Sequence, residues 1–197
     1  MTATVRKIRE AKNGEAALVT LFFPCPAGGR THTYRLTAEE YAEAGYFNEG
    51  EELEEEDFLP FTDETDRKEA LERAVRILAS GDNTAAALTR KLRDRGFLPH
   101  QAEEAVQKLQ KAGYIRENDM LERQFAVFAA RLWGPGKYRP ALLQKGFSLA
   151  QVEEAEEKAA ETGVYDKEKI KEALLLKFRP EGRAETVALL YRYGFRQ

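Results

Sequence analysis

Two kinds of patterning divide this chain. Near the N-terminus, Ala17-Leu18-Val19-Thr20-Leu21-Phe22-Phe23 and Thr31-His32-Thr33-Tyr34-Arg35-Leu36 are dense in β-branched and aromatic side chains, and Pro24-Cys25-Pro26-Ala27-Gly28-Gly29 parts them. This predicts a hairpin with a long loop, joined by a strand over residues 4–11. Thr37-Ala38-Glu39-Glu40 has capping-box spacing and opens a short helix that Gly45 can end. Glu49, Glu51, Glu52, Glu54, Glu55, Glu56 and Asp57 follow within nine positions, a self-repelling stretch that reads as a solvated helix edge or linker.

From Arg67 the apolar positions recur at helical spacing. Ala70, Leu71, Ala74, Val75 and Leu78 mark one face of a helix that Gly81 closes. Asn83 or Thr84 can cap a second helix, with Ala85, Leu88 and Leu92 inward and Gly96 at its end. Pro99 suits the first turn of a third, which turns Ala102, Ala105, Val106 and Leu109 inward and stops at Gly113. The plan then recurs. Leu121, Phe125, Phe128 and Leu132 line a helix that Trp133-Gly134-Pro135-Gly136 breaks, and a helix around residues 138–145 ends at Gly146. Ser148 and Gln151 have capping-box spacing for the next, and helices near residues 167–178 and 183–193 complete the described pattern.

Self-similarity supports the repetition. Residues 96–113 and 146–163 share 8 of 18 positions without a gap, among them Gly96-Phe97 with Gly146-Phe147, Gln101 with Gln151 and Gly113 with Gly163. A shorter echo pairs Arg131 with Arg179, Gly134 with Gly182, Leu142 with Leu190, and Gly146-Phe147 with Gly194-Phe195. A fixed period of this size means stacked supersecondary units, which build extended binding surfaces more readily than closed catalytic pockets. The expected fold is mainly α, with tandem three-helix repeats in an elongated crescent behind a small β-rich N-terminal segment. Its expected parts are an acidic leader over 1–66, helical repeats over 67–116 and 117–165, and a truncated third repeat over 166–197.

Charge sharpens the division. Residues 1–66 hold 6 Lys and Arg against 15 Asp and Glu, a balance of −9, while residues 67–197 hold 25 against 19, a balance of +6. Opposite signs in the two parts suggest different partners or roles. The single cysteine, Cys25, excludes an internal disulfide and fits a reducing cytosol. No apolar run approaches the roughly 20 residues that span a bilayer, and the N-terminus has no signal-peptide core.

The candidate binding residues are basic. Arg90, Lys91, Arg93 and Arg95 gather around the second helix of the first repeat, and Arg131, Lys137, Arg139 and Lys145 lie in a stretch to Phe147 that contains no acid. Arg95 and Lys145 are equivalent across the repeat, so positive charge recurs on successive units. Such a stripe suits an anionic groove, whether an acidic protein surface or nucleic acid. Catalytic or metal chemistry is not expected, and no cofactor is implied. His32 and His100 fall in separate segments with no evident ligand partners and read as surface residues. Cys25 reads as an inert loop thiol. Gly134-Pro135-Gly136-Lys137 lacks the spacing and the following Ser or Thr of a phosphate loop.

Leu88-Thr89-Arg90-Lys91-Leu92-Arg93-Asp94-Arg95-Gly96-Phe97, Ala112-Gly113-Tyr114-Ile115, Gln124-Phe125-Ala126, and Gly134 to Phe147 with Leu142-Leu143-Gln144-Lys145-Gly146 resemble, in order and spacing, motifs of the RecX family, bacterial regulators of the RecA recombinase. The resemblance implies a non-enzymatic, cytoplasmic, monomeric protein of recombination, DNA repair and the SOS response. It implies binding to RecA or the groove of the RecA–single-stranded-DNA filament, with no membrane contact. A weak direct DNA contact is compatible with this. A direct DNA-binding helical module is the competing reading, since three short helices can mimic a helix-turn-helix.

Overall fold

The computed structural model describes residues 1–11 and 15–195. Among these residues the order is β1 (Ala3–Glu10), β2 (Ala16–Phe23), β3 (Arg30–Thr37), α1 (Ala38–Glu43), β4 (Glu52–Leu53), α2 (Glu55–Ala79), α3 (Ala85–Arg93), α4 (Pro99–Lys111), α5 (Glu117–Ala130), α6 (Pro135–Gln144), α7 (Leu149–Glu161), α8 (Lys167–Phe178) and α9 (Gly182–Arg192). The protein is mainly α, with a small antiparallel sheet at the N-terminus. It divides into two compact units, one of Met1–Gly81 with Leu88–Ala112 and one of Asp82–Ala87 with Gly113–Gln197.

In the first unit the sheet order is β3-β2-β1-β4, each neighbour antiparallel. Alternation turns Val5, Val19, Leu21, Phe23, Tyr34 and Leu36 to one face, where they pack with Phe47, Leu53, Phe58 and Leu98. The capping box at Thr37 opens α1 as its sequence suggests. The helical signal at Arg67, however, belongs to a helix already running from Glu55. Glu55, Glu56 and Asp57 occupy its first turn, where carboxylates stabilise the positive end of the macrodipole. Its buried row is Phe58, Thr62, Asp66, Ala70, Ala74 and Ile77. Two polar members interrupt that row, so the apolar period shows only in its second half.

Asp66 is buried because it has a partner. Arg30 of β3, 8% exposed, donates to both its carboxylate oxygens at 2.7 and 2.8 Å, and to Glu69 at 3.0 Å. The Tyr34 hydroxyl donates to Asp66 at 2.6 Å. The guanidinium lies over the rings of Phe23, at 4.3 Å, and Phe97, at 4.7 Å. Burial alone would lower the Arg30 pKa, but hydrogen bonding and charge from Asp66 outweigh it and hold the group firmly protonated. The same helix supplies His32 with Glu69, 3.1 Å from Nδ1, and His100 with Asp63, 2.7 Å from Nε2. Both histidines therefore lie in one unit and have acidic partners, contrary to the expectation from sequence, because α2 reaches back under the sheet and forward to α4.

The second unit has an aromatic core. Phe125 meets Tyr138 and Tyr165 edge-on at 5.3 and 5.6 Å, and Phe128 stacks on Tyr138 at 5.4 Å and on Trp133 at 5.7 Å. Leu121, Leu142, Val152, Ile170 and Leu174 complete it. α5 ends at Ala130, and α6 begins three residues before its expected start, since Pro135 needs no amide partner at the first helical position. α8 and α9 lie close to where the sequence places them.

Candidate partner-binding site

The eight candidate cations stand at the ends and outer faces of α3, α5 and α6. In α3, Leu88 and Leu92 are buried, which turns Arg90 and Arg93 outward; both are exposed. Neither side chain has an ion-pair or hydrogen-bond partner among the described residues. Lys91 is half-buried, and Arg95 folds back to donate to the Lys91 carbonyl at 2.8 Å.

In the second unit the acid-free stretch of sequence is not acid-free in space. Arg139 donates to Glu156 of α7 at 2.8 and 3.2 Å, and that hydrogen bond, ahead of any burial effect, raises its pKa. Lys145, the residue after α6, reaches Gln124 of α5 at 2.6 Å. Arg131 and Lys137 instead converge on one ring: their charged groups lie 5.3 and 5.4 Å from the centroid of Trp133, and Lys137 is also 5.2 Å from that of Tyr193. The structure thus joins Arg131 and Lys137 in an aromatic–cationic cluster, while Arg139 and Lys145 are engaged with neighbouring helices. Tyr193 was not a candidate from sequence. Its position at the end of α9 becomes meaningful only once that helix returns to the start of α6.

That return is one case of a recurring joint. The Gly134 amide donates to the Tyr193 carbonyl at 2.7 Å and the Gly136 amide to the Gly194 carbonyl at 2.8 Å. The first turn of α6 thereby meets the C-terminal end of α9, an arrangement in which the two helix dipoles are complementary. At the Gly146 turn, the Thr84 hydroxyl donates to the Lys145 carbonyl at 2.8 Å and accepts from the Ala87 amide at 3.1 Å. Gly146 has φ of 96°, and a Cβ there would lie 2.7 Å from the Thr84 hydroxyl oxygen. Glu117 secures the same region by accepting from the Ala85 amide at 2.7 Å and from the Gln151 side chain at 2.6 Å. In the first unit the Gly96 turn meets the leader loop, with Ala27 donating to the Asp94 carbonyl at 2.9 Å. Among the glycines that repeat in the sequence, Gly96, Gly134, Gly146 and Gly194 therefore mark places where a helix end meets another segment closely, while Gly113, Gly163 and Gly182 face open space.

Among the described residues no group of three or more His, Cys, Asp or Glu could hold a metal ion, and no helix is long and apolar enough to cross a membrane. The geometry offers surface charge, aromatic platforms and helix ends hydrogen-bonded to neighbouring segments.

Residues 70–109, from the second half of α2 to α4, match the family model for the first three-helix domain of RecX. A regulatory protein RecX from Pseudomonas syringae pv. tomato is 36% identical over 108 residues, covering 55% of this chain and 68% of the relative. One from Thermus thermophilus is 35% identical over 130 residues, 64% of this chain and 84% of the relative. The crystal structure of a regulatory protein RecX aligns with 98% of this chain and 95% of its own, with a TM-score of 0.56 and 18% sequence identity, a likeness of fold.

Proposed function

This chain belongs to the RecX family of regulatory proteins, and on that premise we propose that it binds the RecA recombinase, or its filament on single-stranded DNA, and restrains recombination. The three helical segments over 67–116, 117–165 and 166–197 act as successive binding modules in this reading. Contacts distributed over linked modules give useful total affinity from weak individual patches, because each later contact forms at high effective concentration.

The observation that carries the reading at residue level is the pair of exposed, unpaired arginines on α3, Arg90 and Arg93, together with the Arg131–Lys137 cluster around Trp133. These four cations can meet carboxylates or phosphates without first breaking an internal ion pair. Arg139 belongs to a second group, since engaging a partner would compete with Glu156. A filament ligand needs free charge for steering, and each unit carries some.

The test is DNA-dependent ATP hydrolysis by preformed RecA filaments, titrated with this protein. Hydrolysis should fall to a plateau as the protein saturates its sites. Unchanged hydrolysis at saturating protein, with filament integrity confirmed by light scattering, contradicts the proposal.

A further inference from the structure

The leader is strongly acidic as a whole, yet its sheet is not. Strands β1, β2 and β3, eight residues each, contain one acid, Glu10, against the five cations Arg6, Lys7, Arg9, Arg30 and Arg35. Arg30 is buried with Asp66. The other four lie on the face that the core does not use. The register sets that face in three cross-strand rows: Thr4 beside Phe22 and Thr31, Lys7 beside Thr20 and Thr33, and Arg9 beside Leu18 and Arg35. A bulge between Val5 and Lys7 adds Arg6, whose guanidinium lies 4.7 Å over the Phe22 ring. Glu10 pairs with Ala17 in a row that faces the core. Glu52 is the one carboxylate in line with these rows, beside Thr4, at the end away from Arg9 and Arg35.

Arg6, Lys7, Arg9 and Arg35 are all exposed, and none has an ion-pair partner among the described residues. Solubility would be served by charges of either sign. A segment holding 15 acids that keeps all but Glu52 out of these rows, and collects four of its six cations there, has a surface sorted by charge. The rest of the face consists of threonine hydroxyls, of which those of Thr20 and Thr33 lie 2.9 Å apart, and the half-buried Leu18 and Phe22.

We propose that this outer face of the leader sheet binds the backbone of single-stranded nucleic acid. Three strands make a face about 10 Å across, and outward residues on one strand repeat at about 7 Å. That is a narrow, flat track for one phosphate chain, whereas a reader of duplex grooves inserts a protruding element. Cations and hydroxyl donors meet phosphate oxygens, and the apolar surface of Leu18 and Phe22 lies against sugars and base edges. The face is separate from the helix-borne cations of the RecA proposal and needs no recombinase for its test.

The experiment is fluorescence anisotropy of a labelled short oligothymidylate with the full chain, over a salt series. The comparison is with Arg6→Gln/Lys7→Gln/Arg9→Gln/Arg35→Gln, whose fold is checked by circular dichroism. Wild type should bind at low salt, and the variant should lose about tenfold or more in affinity. The slope of log affinity against log salt should shrink by roughly 3, as expected for four lost contacts to a single strand. Should the quadruple variant fail to fold, Arg9→Glu/Arg35→Glu reads the same face. Equal affinity and slope for wild type and a folded variant overturn the proposal, as does absence of wild-type binding at low salt. Displacement of the oligonucleotide by polyglutamate at equal charge overturns the nucleic-acid assignment in favour of an acidic polypeptide. None of these outcomes bears on RecA ATP hydrolysis, so the two proposals fail separately.

Discussion

Arg30 and Tyr138 hold comparable places in the two units: each is an almost fully buried side chain with a polar end at the centre of its core. Arg30 is held by directional bonds to Asp66 and Glu69 and by the rings of Phe23 and Phe97. Tyr138 is held by ring packing against Phe125, Phe128 and Tyr165, and its hydroxyl has no hydrogen-bond partner. The first unit must join a sheet, a long helix and the Gly96–Phe97 turn, which are distant in sequence, and a multivalent guanidinium fixes all three at once. The second unit stacks helices of similar build, where interlocking rings are enough. Specific charge pairing registers unlike parts, and apolar packing serves like parts.

Breaking the charge side of this comparison should have the largest effect. Asp66→Ala leaves the Arg30 guanidinium buried without its main counter-charge, and thermal or urea unfolding should show a loss of about 3–5 kcal/mol. Replacing both partners, as Arg30→Met/Asp66→Leu, should recover most of that loss, because the penalty comes from an unpaired charge rather than from a missing attraction. A double variant as unstable as Asp66→Ala would show that the network contributes more than charge compensation.

Gly146→Ala should cost about 1–3 kcal/mol in the second unit, through strain at a positive φ and the clash with Thr84. The effect should be smaller in Thr84→Ser than in wild type only if the threonine methyl resists the adjustment, which the double variant measures.

The aromatic side should respond less to loss of polar groups. Tyr165→Phe removes the hydroxyl that donates to the Trp133 carbonyl at 2.7 Å, and should cost about 1 kcal/mol. Tyr138→Phe removes an unpartnered buried hydroxyl and should be neutral or slightly stabilising. A larger loss for Tyr138→Phe than for Tyr165→Phe would invert the assignment of the two hydroxyls.

Acid titration gives the finest distinction. At Asp63 burial pushes the pKa up, but hydrogen bonds from Gln101, His100 and Arg67 outweigh it, so the folded value lies below the ordinary 3.8. A carboxylate with a depressed folded pKa contributes stability that is complete above its unfolded value and is lost as pH falls through the folded one. The stability difference between wild type and Asp63→Asn should therefore be constant at neutral pH and shrink below the unfolded value of 3.8. Melting curves over a pH series measure it, and a difference that grows on acidification would contradict the assignment.

The helical repeats were legible in the sequence because their signals are local. Pro99 at a helix start, the capping box at Ser148 and the repeating glycines each state their role within a few residues. The first half of α2 was not legible, since Thr62 and Asp66 occupy core positions and mimic a solvated face. The burial of Asp66 depends on Arg30 and Tyr34, which lie 36 and 32 residues earlier in the chain. The basic candidates were visible as residue types, but their availability was not. Arg139 and Arg131 look alike in sequence, and only the position of Glu156 on α7 separates a paired cation from an open one. The sorted face of the sheet was likewise hidden behind the net acidity of its segment, because strand register, not composition, decides which charges share a side.

The most direct measurement is the titration of RecA-filament ATP hydrolysis with wild type and with Arg90→Glu/Arg93→Glu/Arg131→Glu. These three side chains are exposed and make no ion pair among the described residues, so the variant should melt with wild type. Suppression of hydrolysis by wild type, with about tenfold or greater loss of potency in the folded variant, is the expected result. Equal suppression by both proteins would contradict the assignment of these arginines as the regulatory contact.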